Sequence, residues 1–266
     1  MSEETIPVKK VREYNDPQSS KETGIKGLFE TALRKSKHLV LGSLLIVIYA
    51  VVAALIGISL IPAVALVSQL FGWSEGFSTL PRLFIQGFSL GLGYLVYGFS
   101  AIIIVPLMNR LVKPMIGPYR GPVYSNGVLG WYLHNILIYS VRYTFLDWIT
   151  PTPFNIFFYR QMGMKIGNRT EVNSSNISDA ALITLEDGVT VGGSVTIIAH
   201  YATGGFLIIS PVRVRKNATL GIRCIIMAGA DIGERATILP NSVVLPKTVV
   251  PDGETWAGIP AKKLER

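Results

Sequence analysis

Residues 214–249 read VRKNAT, LGIRCI, IMAGAD, IGERAT, ILPNSV and VLPKTV, six consecutive hexads. The first position of every hexad is aliphatic: Val214, Leu220, Ile226, Ile232, Ile238 and Val244. The fifth position is always small: Ala218, Cys224, Ala230, Ala236, Ser242 and Thr248. A short fixed period is typical of solenoids, in which each face of a coil turns an aliphatic residue inward and each corner needs a small one. The stretch therefore predicts a left-handed parallel β-helix in which three hexads form one triangular coil.

The same frame continues upstream. It returns as LEDGVT, VGGSVT and IIAH over 185–200, and as IGNRTE and VNSSNI, with a local slip, over 166–177. About thirteen hexads, or four to five coils, fit between Lys165 and Val250. An ordinary β-sandwich with accidental spacing is the alternative, and the unbroken run of matches at two positions argues against it. Cys224 occupies a small-residue position, which predicts a buried filler rather than a nucleophile.

The chain before the repeat is unusually apolar. Over 266 residues the mean hydropathy is +0.42 and 16% of residues are charged, against about 25% in typical soluble domains. Residues 39–71 contain no charged side chain and exceed the roughly 20 residues that cross a bilayer. Because no polar turn divides them, they predict one tilted membrane helix, kinked near Pro62. Residues 83–112 predict a second, in which glycines 87, 91 and 93 allow close helix approach.

The charge pattern predicts the membrane topology. The net charge is +8, and basic residues cluster before the first apolar run and after the second. The only charged residues in the connecting loop are Glu75 and Arg82. The positive-inside rule therefore predicts a multi-pass protein of the cytoplasmic membrane with both termini in the cytoplasm. Since no basic stripe has interleaved aromatic residues, nucleic acid is not a predicted partner.

Four regions follow from these patterns. Residues 1–37 are predicted to be largely disordered, ending in a short amphipathic helix, and residues 38–112 to form the two membrane helices. Residues 113–153 form a linker that includes an amphipathic helix lying in the membrane interface, WYLHNILIYSVRYTFLDWIT (131–150), with a third span as the alternative. Residues 154–266 form the β-helix. The predicted class is membrane α plus all-β.

The repeat is interrupted once, between Ala199 and Val212, and His200 is the first residue of this excursion. Excursions from a solenoid often carry function. The unperturbed pKa of imidazole lies near neutrality, which suits a general base. We therefore expect His200 to deprotonate a hydroxyl or amine that attacks a thioester. A loop histidine that only bonds a backbone carbonyl is the alternative.

Other polar residues precede His200 by about one coil. Asp179 is placed to orient the imidazole, with a solvated loop aspartate as the alternative. Three further residues, Asn173, Ser174 and Asn176, are predicted to line the substrate side of the same cleft, although polar corner residues are common in β-helices.

The remaining candidates are assigned as follows. Trp256 either stacks on a cofactor or seals the last coil. His38 and His134 are predicted to be structural. A zinc site of the carbonic-anhydrase type needs three histidines from adjacent coils, and only His200 lies in the repeat, so no metal is predicted.

The repeat, the histidine that opens an excursion, and the ending WAGIPAKKLER (256–266) resemble hexapeptide-repeat acyltransferases. The resemblance implies acyl transfer from coenzyme A with the loop histidine as base. It also implies trimers with the active site between neighbouring chains, and a closing turn, here Gly258, Pro260 and Ala261, near the thioester cofactor.

A closer resemblance covers approximately residues 40–266. FYRQMGMKIG (158–167), the excursion and PDGETWAGIPA (251–261) are similar to the membrane-anchored C-terminal units of polylysine-synthetase-type nonribosomal peptide synthetases. In that family a pair of membrane helices precedes each hexapeptide-type domain, and amino acids arrive as thioesters on a phosphopantetheine arm. The donor implied is therefore acyl-CoA or an acyl- or aminoacyl-carrier protein, with a homo-oligomer, a trimer by preference, replacing the tandem units.

The chain departs from that family in two places. The acidic run D-I-x-E-x-D corresponds here to Asn176, Ile177, Asp179 and Ala181, so only the middle carboxylate is kept. After the histidine, the often acidic loop reads YATGGFLII (201–209), which predicts a less charged, more apolar substrate or a loop resting on the membrane. Backbone amides near Gly204 and Gly205 are predicted to stabilise the oxyanion.

Two functions follow from this sequence. The first is a membrane-anchored acyltransferase that moves an acyl or aminoacyl group from a phosphopantetheine thioester to an amine or hydroxyl. The alternative is a noncatalytic membrane-bound scaffold that has lost the acidic residues.

Overall fold

The structure, a computed structural model, describes residues 24–265. The predicted disorder at the N-terminus falls on residues outside this range. Within it the α-helices are α1 (Gly24–Lys35), α2 (Lys37–Ser74), α3 (Thr79–Val112), α4 (Leu129–Val141), α5 (Asp147–Ile149) and α6 (Pro153–Gln161). A π-helical stretch, Arg142–Leu146, connects α4 to α5. The helix predicted before the first apolar run is α1.

The two apolar runs form α2 and α3, each a continuous helix, with Pro62 inside α2. At 38 and 34 residues they extend for about 57 and 51 Å, more than the ~30 Å of a bilayer core. Among the described residues, these are the helices long and apolar enough to cross a membrane.

Only one of the three predicted glycines brings the two long helices together. A Cβ on Gly93 would lie 2.7 Å from Val67 Cγ2, whereas Gly87 and Gly91 face open space. Gly98, five residues further along α3, instead lies against the ring of Phe145. Glycines of α3 therefore allow close packing against α2 and against the π-helical stretch that contains Phe145.

The segment predicted as an interfacial helix is helical without a break from residue 129 to 149, and its α4 part is largely buried. Its α4 part packs against α3 and turns His134, Asn135 and Ile138 into the interior. Two of these side chains hydrogen-bond to residues of the β-helix. Polar groups of the segment thus find their partners inside the protein. Its position in the membrane interface stays a prediction.

The strands are short, as a solenoid with faces of six residues requires. They are β1 (Tyr119–Pro122), β2 (Lys165–Ile166), β3 (Glu171–Val172), β4 (Ile183–Leu185), β5 (Thr190–Val191), β6 (Thr196–Ile197), β7 (His200–Thr203), β8 (Phe206–Ile209), β9 (Val212–Val214), β10 (Thr219–Leu220), β11 (Ile225–Ile226), β12 (Asp231–Ile232), β13 (Thr237–Ile238), β14 (Val243–Val244), β15 (Val249–Val250), β16 (Thr255–Gly258) and β17 (Ala261–Lys263).

Successive strands of the repeat pass in turn through three sheets, ordered β15-β12-β9-β4-β2, β16-β13-β10-β5-β3 and β14-β11-β6. All neighbours within these orders are parallel, and β17 adds to the second sheet as an antiparallel edge. Thr219 pairs with Thr237, and the same spacing of three hexads relates the partners in the other two sheets. The predicted triangular coil is therefore confirmed, while its left-handed sense stays a prediction from the repeat.

The first and fifth hexad positions build the core. Val191, Leu220 and Ile238 stack in one sheet, each at most 1% exposed. Cys224 is fully buried, and burial raises the pKa of its thiol to about 12. The prediction that this cysteine is an inert filler agrees with both observations.

The residue at the fourth hexad position lies at the corner between two faces of the β-helix. Its backbone φ is positive in every hexad between 185 and 249 that the excursion does not interrupt: Gly188, Ser194, Asn217, Arg223, Gly229, Arg235, Asn241 and Lys247. This left-handed conformation recurs at the same place in successive coils and bends the chain from one face to the next.

The excursion is a β-hairpin rather than an irregular loop. Strands β7 and β8 pair antiparallel, and β1 joins β8 from the other side. Gly204 and Gly205 form the two-residue turn, with φ of 54° and 79°, the pair of positive values that a type I′ hairpin turn requires. The hairpin is therefore held by a segment whose residues lie 84 to 90 positions earlier in the chain than their partners.

Candidate active site

Two neighbouring coils bring Asp179 and His200 together at the same corner of the prism. Ile177 of the lower coil bridges Ile197 of the next, and the chain turns just after each of them. Asp179 takes a left-handed backbone conformation there, with φ of 60°. His200 leaves the coil directly above, and its Nδ1 lies 2.7 Å from Asp179 Oδ2.

The carboxylate of Asp179 is fully buried and accepts four hydrogen bonds. Oδ1 accepts from Trp131 Nε1 at 2.6 Å and from Asn135 Nδ2 at 2.7 Å, and Oδ2 accepts from His200 and from the backbone N–H of Ala199. Burial works to raise the pKa of Asp179, but the hydrogen bonds from His200, Asn135 and Ala199 outweigh it and hold this pKa below its ordinary value. Asp179 is thus an ionised interior group, and the alternative of a solvated loop aspartate is wrong.

This environment selects one tautomer of His200. An ionised carboxylate only accepts hydrogen bonds, so Nδ1 must carry the proton and donate it. Nε2 is then left with a lone pair and is the basic atom of the ring. The indole of Trp131 meets the imidazole edge-on, with ring centroids 4.8 Å apart, and limits its rotation.

His134, unlike His200, has both ring nitrogens bonded inside the protein. It is fully buried, its Nε2 accepts from the Ala181 N–H at 3.3 Å, and its Nδ1 donates to Asn109 Oδ1 at 2.7 Å. Burial lowers the pKa of His134 to about 4. The side chain is therefore a neutral link that ties α4 to α3 and to the first coil.

A cavity of about 350 Å³ opens beside His200. Its walls come from α2, from the segment after β1, from α4 and from the hairpin, and include Leu44, Tyr124, Trp131, Tyr132 and Leu207. The imidazole is 24% exposed. A molecule in this cavity is thus in reach of the ring without being fully exposed to water.

The three residues predicted to bind substrate do not line this cavity. Asn173, Ser174 and Asn176 line a separate polar cavity of about 290 Å³ at another corner. Ser174 Oγ donates to the carbonyl of Val195 at 2.7 Å, and the side chain of Asn176 accepts from Arg142. Within one chain these contacts are structural, and a role in substrate binding stays a prediction.

The predicted cofactor residues lie at a distance from His200. Gly204 is four residues along the hairpin, about 13 Å away, so geometry within one chain gives no support to an oxyanion role for the Gly204–Gly205 amides. The turn at Gly258, Pro260 and Ala261 lies three coils above His200, about 14 Å along the axis. Their role near a cofactor stays a prediction.

Trp256 continues a column of inward-facing residues. It pairs with Ile238 on β13 and packs against the core, while its indole Nε1 donates to Glu254 at 2.8 Å. This position favours the second of its two predicted roles, sealing the last coil.

The helix residues that complete the site, Trp131 and Asn135, are not among those predicted from the sequence. Trp131 and Asn135 are one helical turn apart and therefore share a face of α4. That spacing was the available signal, but the apolar surroundings suggested a membrane surface rather than a buried carboxylate. Leu44, on the first long helix, gave no signal at all.

Known proteins that resemble this chain match only part of its length. No protein-family model matches the chain. It is 24% identical over 180 residues to a delta-poly-L-ornithine synthetase of Acinetobacter baumannii, which covers 66% of this chain and 13% of that protein. It is 33% identical over 107 residues to the mitochondrial gamma carbonic anhydrase 2 of Arabidopsis thaliana, covering 39% of this chain and 34% of that one. Among the described residues, no three His, Cys, Asp or Glu side chains are grouped to hold a metal ion.

Among solved structures, a maltose O-acetyltransferase from Clostridium difficile 630 superposes with a TM-score of 0.45 at 18% identity, over 58% of this chain and 96% of that one. The chain spans only about an eighth and a third of the two curated relatives. The match to a poly-amino-acid synthetase nevertheless bears out the resemblance that the motifs predict: this chain is similar to hexapeptide-repeat acyltransferases of the polylysine-synthetase type.

Proposed function

We propose that this protein is a membrane-anchored acyltransferase in which His200 is the general base. It moves an acyl or aminoacyl group from a phosphopantetheine thioester, on coenzyme A or a carrier protein, to a hydroxyl or amine. One observation carries the proposal: the buried carboxylate of Asp179 holds Nδ1 of His200 and leaves Nε2 as the basic atom of a residue that lines a cavity.

The reaction follows from this geometry. Nε2 takes the proton of the acceptor while the acceptor oxygen or nitrogen bonds to the thioester carbonyl carbon. The imidazolium that forms is stabilised by the carboxylate of Asp179 at 2.7 Å. When the carbon–sulfur bond breaks, Nε2 returns the proton to the thiolate, and a free thiol leaves. The donor arm runs in this proposal along the coils from the Gly258 turn towards His200.

The proposal includes the membrane and further copies of the chain. The side chains of Ile46, Leu83 and Phe84 on the long helices are 72%, 58% and 74% exposed. Exposed apolar surface of this extent is typical of a face that contacts lipid or another protein. A bilayer with both termini on the cytoplasmic side suits the basic residues at the outer ends of the pair. Assembly as a trimer rests on the resemblance alone.

Thiol release tests the function directly. The purified protein in lipid nanodiscs is given acetyl-CoA, or a loaded carrier protein, with hydroxyl and amine acceptors, and free thiol is measured. We expect His200→Ala to lower the rate by about 10²–10⁴, and His38→Ala, which alters an exposed histidine at the start of α2, to leave it unchanged. Equal release by wild type and His200→Ala with every donor would favour the noncatalytic scaffold instead.

A further inference from the structure

We infer that the acceptor is a membrane-partitioning alcohol, a single apolar chain with a terminal hydroxyl, which occupies the cavity beside His200 and enters it from the bilayer past Leu44. This inference rests on the proposed acyl transfer and names its acceptor. Three observations lead to it: where the cavity lies, what lines it, and which charges its walls lack.

The cavity lies where a membrane helix meets the β-helix. Leu44 is in the second turn of α2 and forms one wall, opposite the hairpin residues Ala202 and Leu207. Val47, about one helical turn beyond Leu44 on the same side of α2, is 60% exposed. The outward apolar surface of the helix therefore adjoins the cavity, and a chain that lies along α2 in the lipid reaches the imidazole without crossing water.

The lining suits a hydrocarbon chain. Val128, Leu129 and Leu207 form apolar wall, and the rings of Trp131 and Tyr132 lie on the side of α4. The volume of about 350 Å³ is at the lower end of the usual range for ligand sites, which fits a slender chain rather than a bulky headgroup.

The charges favour a hydroxyl over an ammonium group. Among the described residues that line the cavity, none is Asp, Glu, Lys or Arg. The neighbouring carboxylate, Asp179, is fully buried and already accepts four hydrogen bonds. An ammonium group would lose its hydration here without gaining an anion, whereas a hydroxyl enters uncharged and donates to Nε2.

The chemistry balances without a further reactant. The hydroxyl proton passes to His200 Nε2 as the oxygen bonds to the thioester carbonyl carbon. The carbon–sulfur bond breaks, the thiolate takes the proton from Nε2, and an oxygen ester remains in the membrane. The free thiol leaves to the aqueous side.

The first experiment measures binding without turnover. Diethyl pyrocarbonate modifies accessible histidines, and the chain has three: His38 is exposed, His134 is buried and His200 is partly exposed. In nanodiscs we expect decanol to slow modification of His200 by about tenfold while leaving His38 unaffected, and ethanol to protect neither. The modified positions are identified by mass spectrometry.

A matched pair of variants separates the cavity from general partitioning into lipid. Leu44→Trp fills the cavity, whereas Ile46→Trp places the same indole on the exposed side of the same helix. Decanol should protect His200 in Ile46→Trp as in wild type, and by less than about twofold in Leu44→Trp. Equal protection in both variants, equal protection of His38, or no protection at all would overturn the inference.

The second experiment identifies the acceptor class. With acetyl-CoA as donor, we expect decanol to be acylated at least about tenfold faster than decylamine, and this difference to shrink in Leu44→Trp. Faster formation of the amide would overturn the assignment of a hydroxyl. If no donor yields thiol but decanol still protects His200 through Leu44, then the proposed function fails while the lipid-chain site stands.

Discussion

Replacing Asp179 by asparagine tests how the site holds its base. The carboxylate accepts two hydrogen bonds on each oxygen, from Trp131 and Asn135 on one and from Ala199 and His200 on the other. An amide has one accepting oxygen and one donating NH₂ group, so whichever way it is turned, donors must face donors. The substitution is therefore not neutral, although it changes hardly any volume.

The two orientations have different consequences. If the NH₂ group faces Trp131 and Asn135, two buried donors lose their acceptor. If it faces the other side, the Ala199 N–H loses its acceptor, and His200 is driven to the other tautomer, with the proton on Nε2. Each unsatisfied buried donor costs about 1–3 kcal/mol. The first orientation should therefore lower the free energy of unfolding by about 2–6 kcal/mol. The second should lower kcat by about 10²–10⁴, because His200 is in the wrong tautomer.

The assay combines thiol release with ¹⁵N spectra of the histidines, which report whether Nδ1 or Nε2 carries the proton. Asp187→Asn is the matched control, because Asp187 accepts a single bond from the Asn168 N–H at 2.7 Å near the surface of the same solenoid. This control should keep wild-type activity. A rate for Asp179→Asn within about twofold of wild type, with a stable fold, would refute the reasoning.

Three further outcomes follow from buried groups. Burial lowers the pKa of His134 to about 4 in the folded protein, whereas its pKa in the unfolded chain is about 6.5. Between about pH 6.5 and pH 4, His134 is therefore protonated in the unfolded chain but not in the folded protein. Stability should therefore fall by about 3 kcal/mol as pH drops through this window, and His134→Gln should remove that dependence in denaturant titrations. Gly98→Ala should lower stability by about 1–3 kcal/mol, since its Cβ would lie 2.1 Å from the ring of Phe145, while Gly91→Ala, which faces open space, should not. Cys224 should react with thiol reagents only at the rate of global unfolding, because it is fully buried with a raised pKa; prompt labelling of the folded protein would contradict this.

The repeat made the β-helix predictable because its signal is local and periodic. Aliphatic residues at the first hexad position recur every six residues, and sheet partners are three such steps apart, so one short stretch sets the coil length. The apolar runs were equally visible, since length and lack of charge are enough to specify a membrane-length helix. His200 stood out for the same reason, as a break in a regular pattern.

The surroundings of His200 depended on contacts between distant parts of the chain. Trp131 and Asn135 lie more than forty residues before Asp179, and no periodic pattern links them. The pairing of the hairpin with β1 could not be predicted for a similar reason. Backbone hydrogen bonds between strands far apart in the chain require no particular residue types.

The sequence by itself therefore determined the solenoid, the two apolar helices and the candidate base, because each rests on spacing within a continuous stretch. Only the tertiary structure decided that Asp179 is buried and bonded to His200, that the cavity beside the imidazole has apolar walls, and that Leu44 of α2 forms part of them. These features arise where three separate segments pack together, and packing of that kind is set by shape and burial rather than by local pattern.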